Sequence, residues 1–196
     1  MAARNPARLP LFPLDTVLFP DGTERLRVFE RRYLDMVRDC ARDNACFGIC
    51  LILAGTDGRP STPAALGTSA HIIDFETGDD GLLAITVRGG ERFHVDRISV
   101  RDNGLIVGDV QWRDDLTVGP VPAQHGLLVT MLENLLRQFG QLPDDARLLD
   151  DAAWVGWRLA EILPLAPADR QVLLQMDDPV RRLDELAAWL PRIRGE

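Results

Sequence analysis

Residues 82–112 read LLAITVRGGERFHVDRISVRDNGLIVGDVQW. Apolar and polar side chains alternate over residues 82–88, the period of a half-buried strand. Gly89-Gly90 interrupts the run and predicts a bulge or a sharp bend. Residues 93–100 resume the strand pattern. Asp102-Asn103-Gly104 predicts a hairpin turn, because Asn-Gly tolerates positive φ. Residues 105–112 form the return strand. Upstream, residues 70–75 make a further strand, joined to residue 82 by a Gly- and Asp-rich turn over 77–81. Several short strands at this spacing predict a small barrel or folded sheet.

Further upstream, residues 46–53 are a continuous apolar run of strand length, closed by a loop with Gly55-Thr56-Asp57-Gly58 and Pro60 to Pro63. Residues 30–43 predict a helix. Tyr33, Leu34, Val37, Cys40 and Ala41 fall on one face, and Arg31, Asp35, Arg38, Asp39 and Arg42 on the other. The first twenty residues carry Pro6, Pro10, Pro13 and Pro20 among large apolar side chains. Proline limits such a segment to an extended path with short edge strands. Asp21-Gly22 then reads as a turn.

Downstream the character changes near Asp114. After Val118-Gly119-Pro120-Val121-Pro122 the chain becomes helical. Leu127, Leu128, Met131, Leu132, Leu135, Leu136 and Phe139 make one apolar stripe that stops at Gly140. A second helix is predicted over roughly 145–162, with Leu149, Ala152, Ala153, Gly156, Leu159, Ala160 and Leu163 on its stripe and Trp154 and Trp157 widening it. Pro164 and Pro167 break the chain, and a short helix follows with Val172, Leu173 and Met176 inward. Asp178-Pro179 is an N-cap and first-turn pair. It opens a last helix with Val180, Leu183, Leu186, Ala187 and Leu190 on one face. The expectation is an α+β protein: a β-rich part with one helix over 1–118, then a helical bundle over 119–196.

The composition narrows the function. The 196 residues hold 22 basic and 30 acidic side chains, a net charge of −8. Every basic residue is Arg, and no segment is a basic patch. Nucleic-acid affinity comes largely from neutralising phosphates, so nucleic acid and anionic membranes are not expected partners. A chain without Lys has no phosphate-loop Lys, no Schiff-base Lys and no Ser–Lys dyad. The three cysteines, Cys40, Cys46 and Cys50, fit a reducing compartment. The N-terminus lacks an apolar core of signal-peptide type, and no run is long enough to span a membrane. The cytoplasm is the expected location.

No constellation with catalytic or metal-binding spacing emerges. Cys46 and Cys50 share one face of a predicted strand inside an apolar run, which reads as core thiols. His71, His94 and His125 are scattered. Ser61, Ser69 and Ser99 lie outside any nucleophile elbow. His94 and Asp96 sit i, i+2 on a strand, as a solvated pair would. The acid pairs Asp79-Asp80, Asp114-Asp115, Asp144-Asp145, Asp150-Asp151 and Asp177-Asp178 stand mostly at turns and helix starts, where they cap free N–H groups. Trp154, Trp157 and Trp189 fit core positions on helices. The expectation is no catalytic residue, no cofactor and no metal.

The segment Leu9-Pro-Leu-Phe-Pro-Leu-Asp-Thr-Val-Leu-Phe-Pro20, then Val28-Phe-Glu-Arg-Arg-Tyr33 and Met36, resembles the opening of the N-terminal substrate-recognition domain of Lon proteases. Residues 66–72, Asp80-Gly81, 85–89 and 91–93 resemble its β-section. Residues 159–165, Arg170-Gln171, Leu173-Leu174 and Arg182-Leu183 resemble its closing helices. The resemblance covers about residues 9–190. It implies a β-rich, PUA-like pseudo-barrel followed by a helical bundle. It also implies recognition of polypeptide clients, or of a protease or chaperone partner, without the ATPase and Ser–Lys protease domains that follow in Lon. Two rivals remain: an RNA-binding PUA-like protein, and a hydrolase assembled in the fold from His71 or His94 with carboxylates. Phe12, Leu18, Phe29 and Tyr33 are expected in the core, and Glu30 with Arg32 as a structural ion pair. The binding residues are left open.

Overall fold

A computed structural model describes residues 7–53, 62–78, 81–114 and 119–194, with side chains to residue 191. The predicted loop over 55–61, with Ser61, and the pair Asp79-Asp80 lie outside the described residues, as does Asp115. The chain divides into two compact units, Met1–Arg113 and Asp114–Glu196.

The first unit is a six-stranded sheet with one helix. In chain order it holds β1 (Ala7–Leu14), β2 (Thr23–Val28), α1 (Arg31–Asp43), β3 (Phe47–Leu53), β4 (Thr62–Thr77), β5 (Leu83–Val100) and β6 (Ile106–Arg113). The strand order is β2-β5-β4-β3-β1-β6, and β5 also pairs with β6. That last pairing closes β5, β4, β3, β1 and β6 into a ring, with β2 added alongside the first half of β5. Closure removes most free strand edges. All pairings are antiparallel except β1 with β3. The α+β expectation holds.

β5 is one strand of 18 residues rather than two. The Gly89-Gly90 interruption is a bulge within it. Thr68 pairs with Arg92 and Ala70 with Gly89, so two residues of β5 face one of β4. Glycine is needed at 89 because a Cβ there would collide with the Phe19 carbonyl oxygen. Gly89 N–H donates to the Gly22 carbonyl at 2.8 Å, and Asp21 N–H donates to the Gly89 carbonyl at 2.9 Å. The Asp21-Gly22 turn is thereby fastened to the bulge.

β1 corrects the edge-strand expectation, since it lies between β3 and β6. Its prolines are tolerated because the two pairings divide the strand. Residues 7–10 pair with β6 and residues 11–14 with β3, so Pro10 and Pro13 each pair on one side only. β3 explains its continuous apolar run in the same way. Phe47 and Ile49 join the cluster of Tyr33, Met36, Val37 and Cys40 from α1, whereas Cys50 joins Leu9, Leu11, Phe93, Val95 and Val110. Both faces of the strand are buried.

The second unit begins with a one-turn 3-10 helix, Ala123–His125, and continues into α2 (Gly126–Phe139). α3 (Ala152–Ile162), α4 (Pro167–Gln175) and α5 (Pro179–Arg194) follow. Leu128, Leu132, Leu136, Val155, Trp157, Leu159, Leu173, Leu174, Leu183 and Leu186 are buried. The single helix expected over 145–162 is broken. Residues Ala146–Asp150 form a 3-10 turn, and Asp151 is extended (φ −90, ψ 113), its carboxylate capping the Trp154 N–H at 2.9 Å. Two adjacent aspartates offer the backbone a cap, and the cap starts a new helix. Asp145 and Asp178 cap in the same manner.

Other expectations are corrected by register on a face. Phe29 is exposed (66%) because it lies beyond the end of β2. On α1 the buried stripe includes Met36 and leaves Ala41 outside. Leu127, Phe139 and Val172 are exposed at the margins of their stripes.

Candidate functional site

The described residues form a cavity of about 320 Å³ in the first unit. Its lining comes from five elements and the segment before α1: Phe12 and Pro13 on β1, Ile52 on β3, Pro63 on β4, Ile106 on β6, and Glu30, Arg32 and Tyr33 at the start of α1. The hydrophobic walls come from strands brought together by ring closure. Ile52 sits near the end of β3, opposite Pro63, and is 42% exposed.

The polar side is built at the helix start. Phe12 and Tyr33 stack with ring centroids 4.1 Å apart and planes inclined by 19°. The Arg32 guanidinium carbon lies 4.7 Å from the Tyr33 ring centroid, within cation–π range. Arg32 Nη2 pairs with Glu30 Oε2 at 2.8 Å, the ion pair expected from sequence. Arg32 Nη1 donates to the Gly104 carbonyl at 3.0 Å, so the hairpin turn after β5 also holds this side chain. Arg32 Nε is buried and has no acceptor among the described residues. Burial pushes the Tyr33 phenol up, against the opposing pull of Arg32. The cavity is thus lined by apolar side chains from four strands together with the Glu30–Arg32 ion pair.

The other residues singled out by sequence do not assemble. His94 Nδ1 lies 3.2 Å from Asp96 Oδ1, both side chains exposed, and Gln111 Nε2 donates to Asp96 Oδ2 at 2.6 Å. Neither described serine serves this pair: Ser69 is buried, and Ser99 accepts from Arg8 at 3.1 Å and donates to the Val107 carbonyl. His125 is buried in the second unit, 3.0 Å from Asp184. Cys40 and Cys50 are buried and Cys46 is half-buried. Among the described residues no group of three His, Cys, Asp or Glu side chains could hold a metal ion. Trp157 and Trp189 are buried, and Trp154 is half-buried. No described helix is long and apolar enough to cross a membrane.

Sequence reasoning noticed Phe12, Glu30, Arg32 and Tyr33 individually and missed Ile52, Pro63 and Ile106. Those three are distant in sequence and ordinary in type. Only the strand order brings them to one rim.

Comparison with known proteins agrees with this architecture. Residues 8–192 match the family described as the ATP-dependent protease La (LON) substrate-binding domain. The crystal structure of a Lon N-terminal domain protein from Xanthomonas campestris is similar, with 53% sequence identity and a TM-score of 0.81 over 94% of this chain and 99% of that one. The N-terminal domain of Mycobacterium avium complex Lon protease shares the fold, with a TM-score of 0.69 at 19% identity over 93% of this chain and 97% of that one. A search of curated proteins gave no match. The family match spans both units, and the chain belongs to the Lon substrate-binding domain family.

Proposed function

We propose that this chain is a non-catalytic module that binds other polypeptides and presents them to a protease or chaperone partner in the cytoplasm. The observation that carries the reading is the family match over residues 8–192. The chemistry supports it. The sequence has no Lys, so neither a phosphate-loop Lys nor a Ser–Lys dyad can come from it. The cavity in the first unit combines apolar side chains with the polar Glu30–Arg32 pair, a mixed surface that suits a polypeptide's own mix of side chain and backbone.

The arginine distribution favours protein over nucleic acid as partner. Exposed Arg25 pairs with Glu76, Arg38 with Asp35, Arg42 with Asp43, Arg137 with Glu133 and Arg147 with Asp145. A guanidinium already matched to a carboxylate contributes little to a phosphate-binding field.

The test is binding of the full chain to reduced, carboxymethylated α-lactalbumin, which cannot fold, against the native form of the same protein. Selective retention of the unfolded form is expected. Equal binding to both, or none to either, overturns the reading.

A further inference from the structure

We infer that the outer edge of β4 over residues 71–77 receives an extended segment of client polypeptide as an added strand, with apolar side chains beside Ile73 and Phe75 and a lysine or arginine beside Asp74. This rests on the polypeptide-binding reading and adds a place and a sequence preference to it.

β4 outlasts its neighbour on one side. Its pairing with β3 ends at Phe47 and Ala70. From His71 to Thr77 it pairs with β5 alone, and no described strand pairs with its other edge. Ring closure leaves this stretch open. The edge is also accessible, since Ile73 and Phe75 are each 50% exposed. Phe75 lies opposite Ile85, a core residue, and residues directly opposite share a face of the sheet. The Phe75 ring therefore sits on the core face, past the rim of the core. An added strand with an apolar residue there continues that face and takes the ring out of water. A strand edge offers backbone donors and acceptors at fixed spacing, and an extended chain is the group that answers the whole row.

Asp74 decides between partners. Its Oδ1 accepts from the Phe75 N–H at 2.8 Å in an exposed contact. Glu76 is matched by Arg25 at 2.7 Å, whereas no cation matches Asp74 among the described residues. A second copy of this chain is a poor occupant. Antiparallel pairing of two identical edges that sets Ile73 against Phe75 also sets Asp74 against Asp74, and like charges directly opposite repel. The bulge between Ile72 and Asp74 works in the same direction, because bulges and charges keep an edge from pairing with its own kind. A client with lysine or arginine at that point gains where a second copy loses. Its carbonyl takes over the Phe75 N–H, and its cation takes the carboxylate so released.

The test is titration of the ¹⁵N-labelled full chain with the peptide acetyl-Thr-Val-Lys-Val-Thr-amide, followed by backbone amide resonances. Saturable shifts are expected over residues 71–77, with slowed exchange at the Phe75 amide. N-methylation of the peptide at alternate residues distinguishes strand addition from side-chain binding. One alternating set blocks the donors on the pairing edge and should lose roughly tenfold or more in affinity. The other set should bind nearly as the parent does. Replacing the peptide's lysine by glutamate should weaken binding about fivefold. Asp74→Lys, at an exposed position, should reverse that preference. Absence of saturable shifts over 71–77 overturns the inference. So do equal losses from the two methylated sets, or a lysine-against-glutamate preference that Asp74→Lys leaves unchanged. Self-association of the wild-type chain that protects the same amides overturns it in favour of a second copy. The unfolded-protein assay separates the two ideas, since saturating peptide should displace the unfolded α-lactalbumin. Retention that the peptide leaves unchanged rejects the edge and keeps the reading, whereas no retention by the wild-type chain rejects the reading itself.

Discussion

Each unit sets an arginine against an aromatic ring, and the two pairs do different work. In the first unit Arg32 stands 4.7 Å from the Tyr33 centroid, a third of its side chain exposed, with Glu30 and the Gly104 carbonyl as partners. In the second, Arg182 is fully buried, its guanidinium carbon 3.1 Å from the Trp157 centroid, and Nη2 donates to the Met176 carbonyl at 2.7 Å. Gly156 leaves room for it, since a Cβ there would come within 3.1 Å of Arg182 Cδ. One guanidinium lines a cavity and stays partly open to solvent. The other fills a core, doing with a planar cation what a large apolar side chain does elsewhere. The difference is one of burial, and burial sets what each substitution costs.

The largest break in this comparison is Arg182→Ala. It opens a void against Trp157 and leaves the Met176 carbonyl without that donor. A loss of about 3 kcal/mol or more is expected, the scale for emptying a large side chain's place in a core. Arg182→Lys should recover little, because an ammonium cannot lie flat on the indole. Urea denaturation followed by tryptophan fluorescence in a Trp112→Phe background checks this, since the other three of the four tryptophans, Trp154, Trp157 and Trp189, belong to the second unit. A change below about 1 kcal/mol would mean that Arg182 is not a core element.

The matching break in the first unit is Gly89→Ala. The obstacle there is backbone, the Phe19 carbonyl oxygen, which cannot swing aside as a side chain can. Overpacking of this kind costs roughly 1–3 kcal/mol, and about 2 kcal/mol is expected. Amide exchange should locate the loss at the Asp21-Gly22 turn and the β4–β5 bulge. Exchange that quickens uniformly across the unit would say that the turn is not fastened there.

The two units were also unequally legible. Helix α1, the Asn103-Gly104 hairpin and the Gly89-Gly90 bulge follow from local chemistry, because spacing and turn residues decide them. The break at Asp151 does not, since Asp150-Asp151 reads equally as helix surface until one carboxylate closes on Trp154 N–H. The prolines of β1 pointed to an edge strand. That rule fails only because β6 and β3 share the strand between them, a fact of topology. The cavity is the extreme case. Phe12, Tyr33, Ile52, Pro63 and Ile106 meet through a parallel pairing and a ring closure that no local pattern records. Arg32 was legible as half of an ion pair, but its spare Nε is a property of packing.

A smaller break tests the support of Arg32. Gly104 has φ +82, a conformation that L side chains resist. Gly104→Ala should cost about 1–2 kcal/mol, and Gly104→Asn less, because asparagine tolerates left-handed backbone. The Gly104 carbonyl accepts from Arg32 Nη1, so the Arg32 side-chain resonances should move in both variants. Unmoved resonances would detach the hairpin from the cavity.

The last prediction leaves stability at neutral pH untouched and sharpens the comparison through chemistry found in one unit only. All three cysteines lie in the first unit, so thiol reactivity reports on it alone. Burial pushes the Cys50 thiol up to about 12 and Cys40 up to about 11, and raises Cys46 as well. The thiolate is the nucleophile. Near pH 8 the folded chain should therefore react slowly with iodoacetamide at every cysteine, with half-buried Cys46 first and Cys50 last. In denaturant all three should react fast and alike. The proton linkage has a definite sign. Folded values above the unfolded ones have no effect below about pH 8, where thiols are protonated in both states. As pH climbs from about 9, the unfolded chain ionises first, so the first unit loses stability through the range up to about 12. Rapid labelling of Cys50 in the folded chain near pH 8, at the rate seen in denaturant, would show that β3 is not enclosed on both faces, and the closed ring that forms the cavity would fail with it.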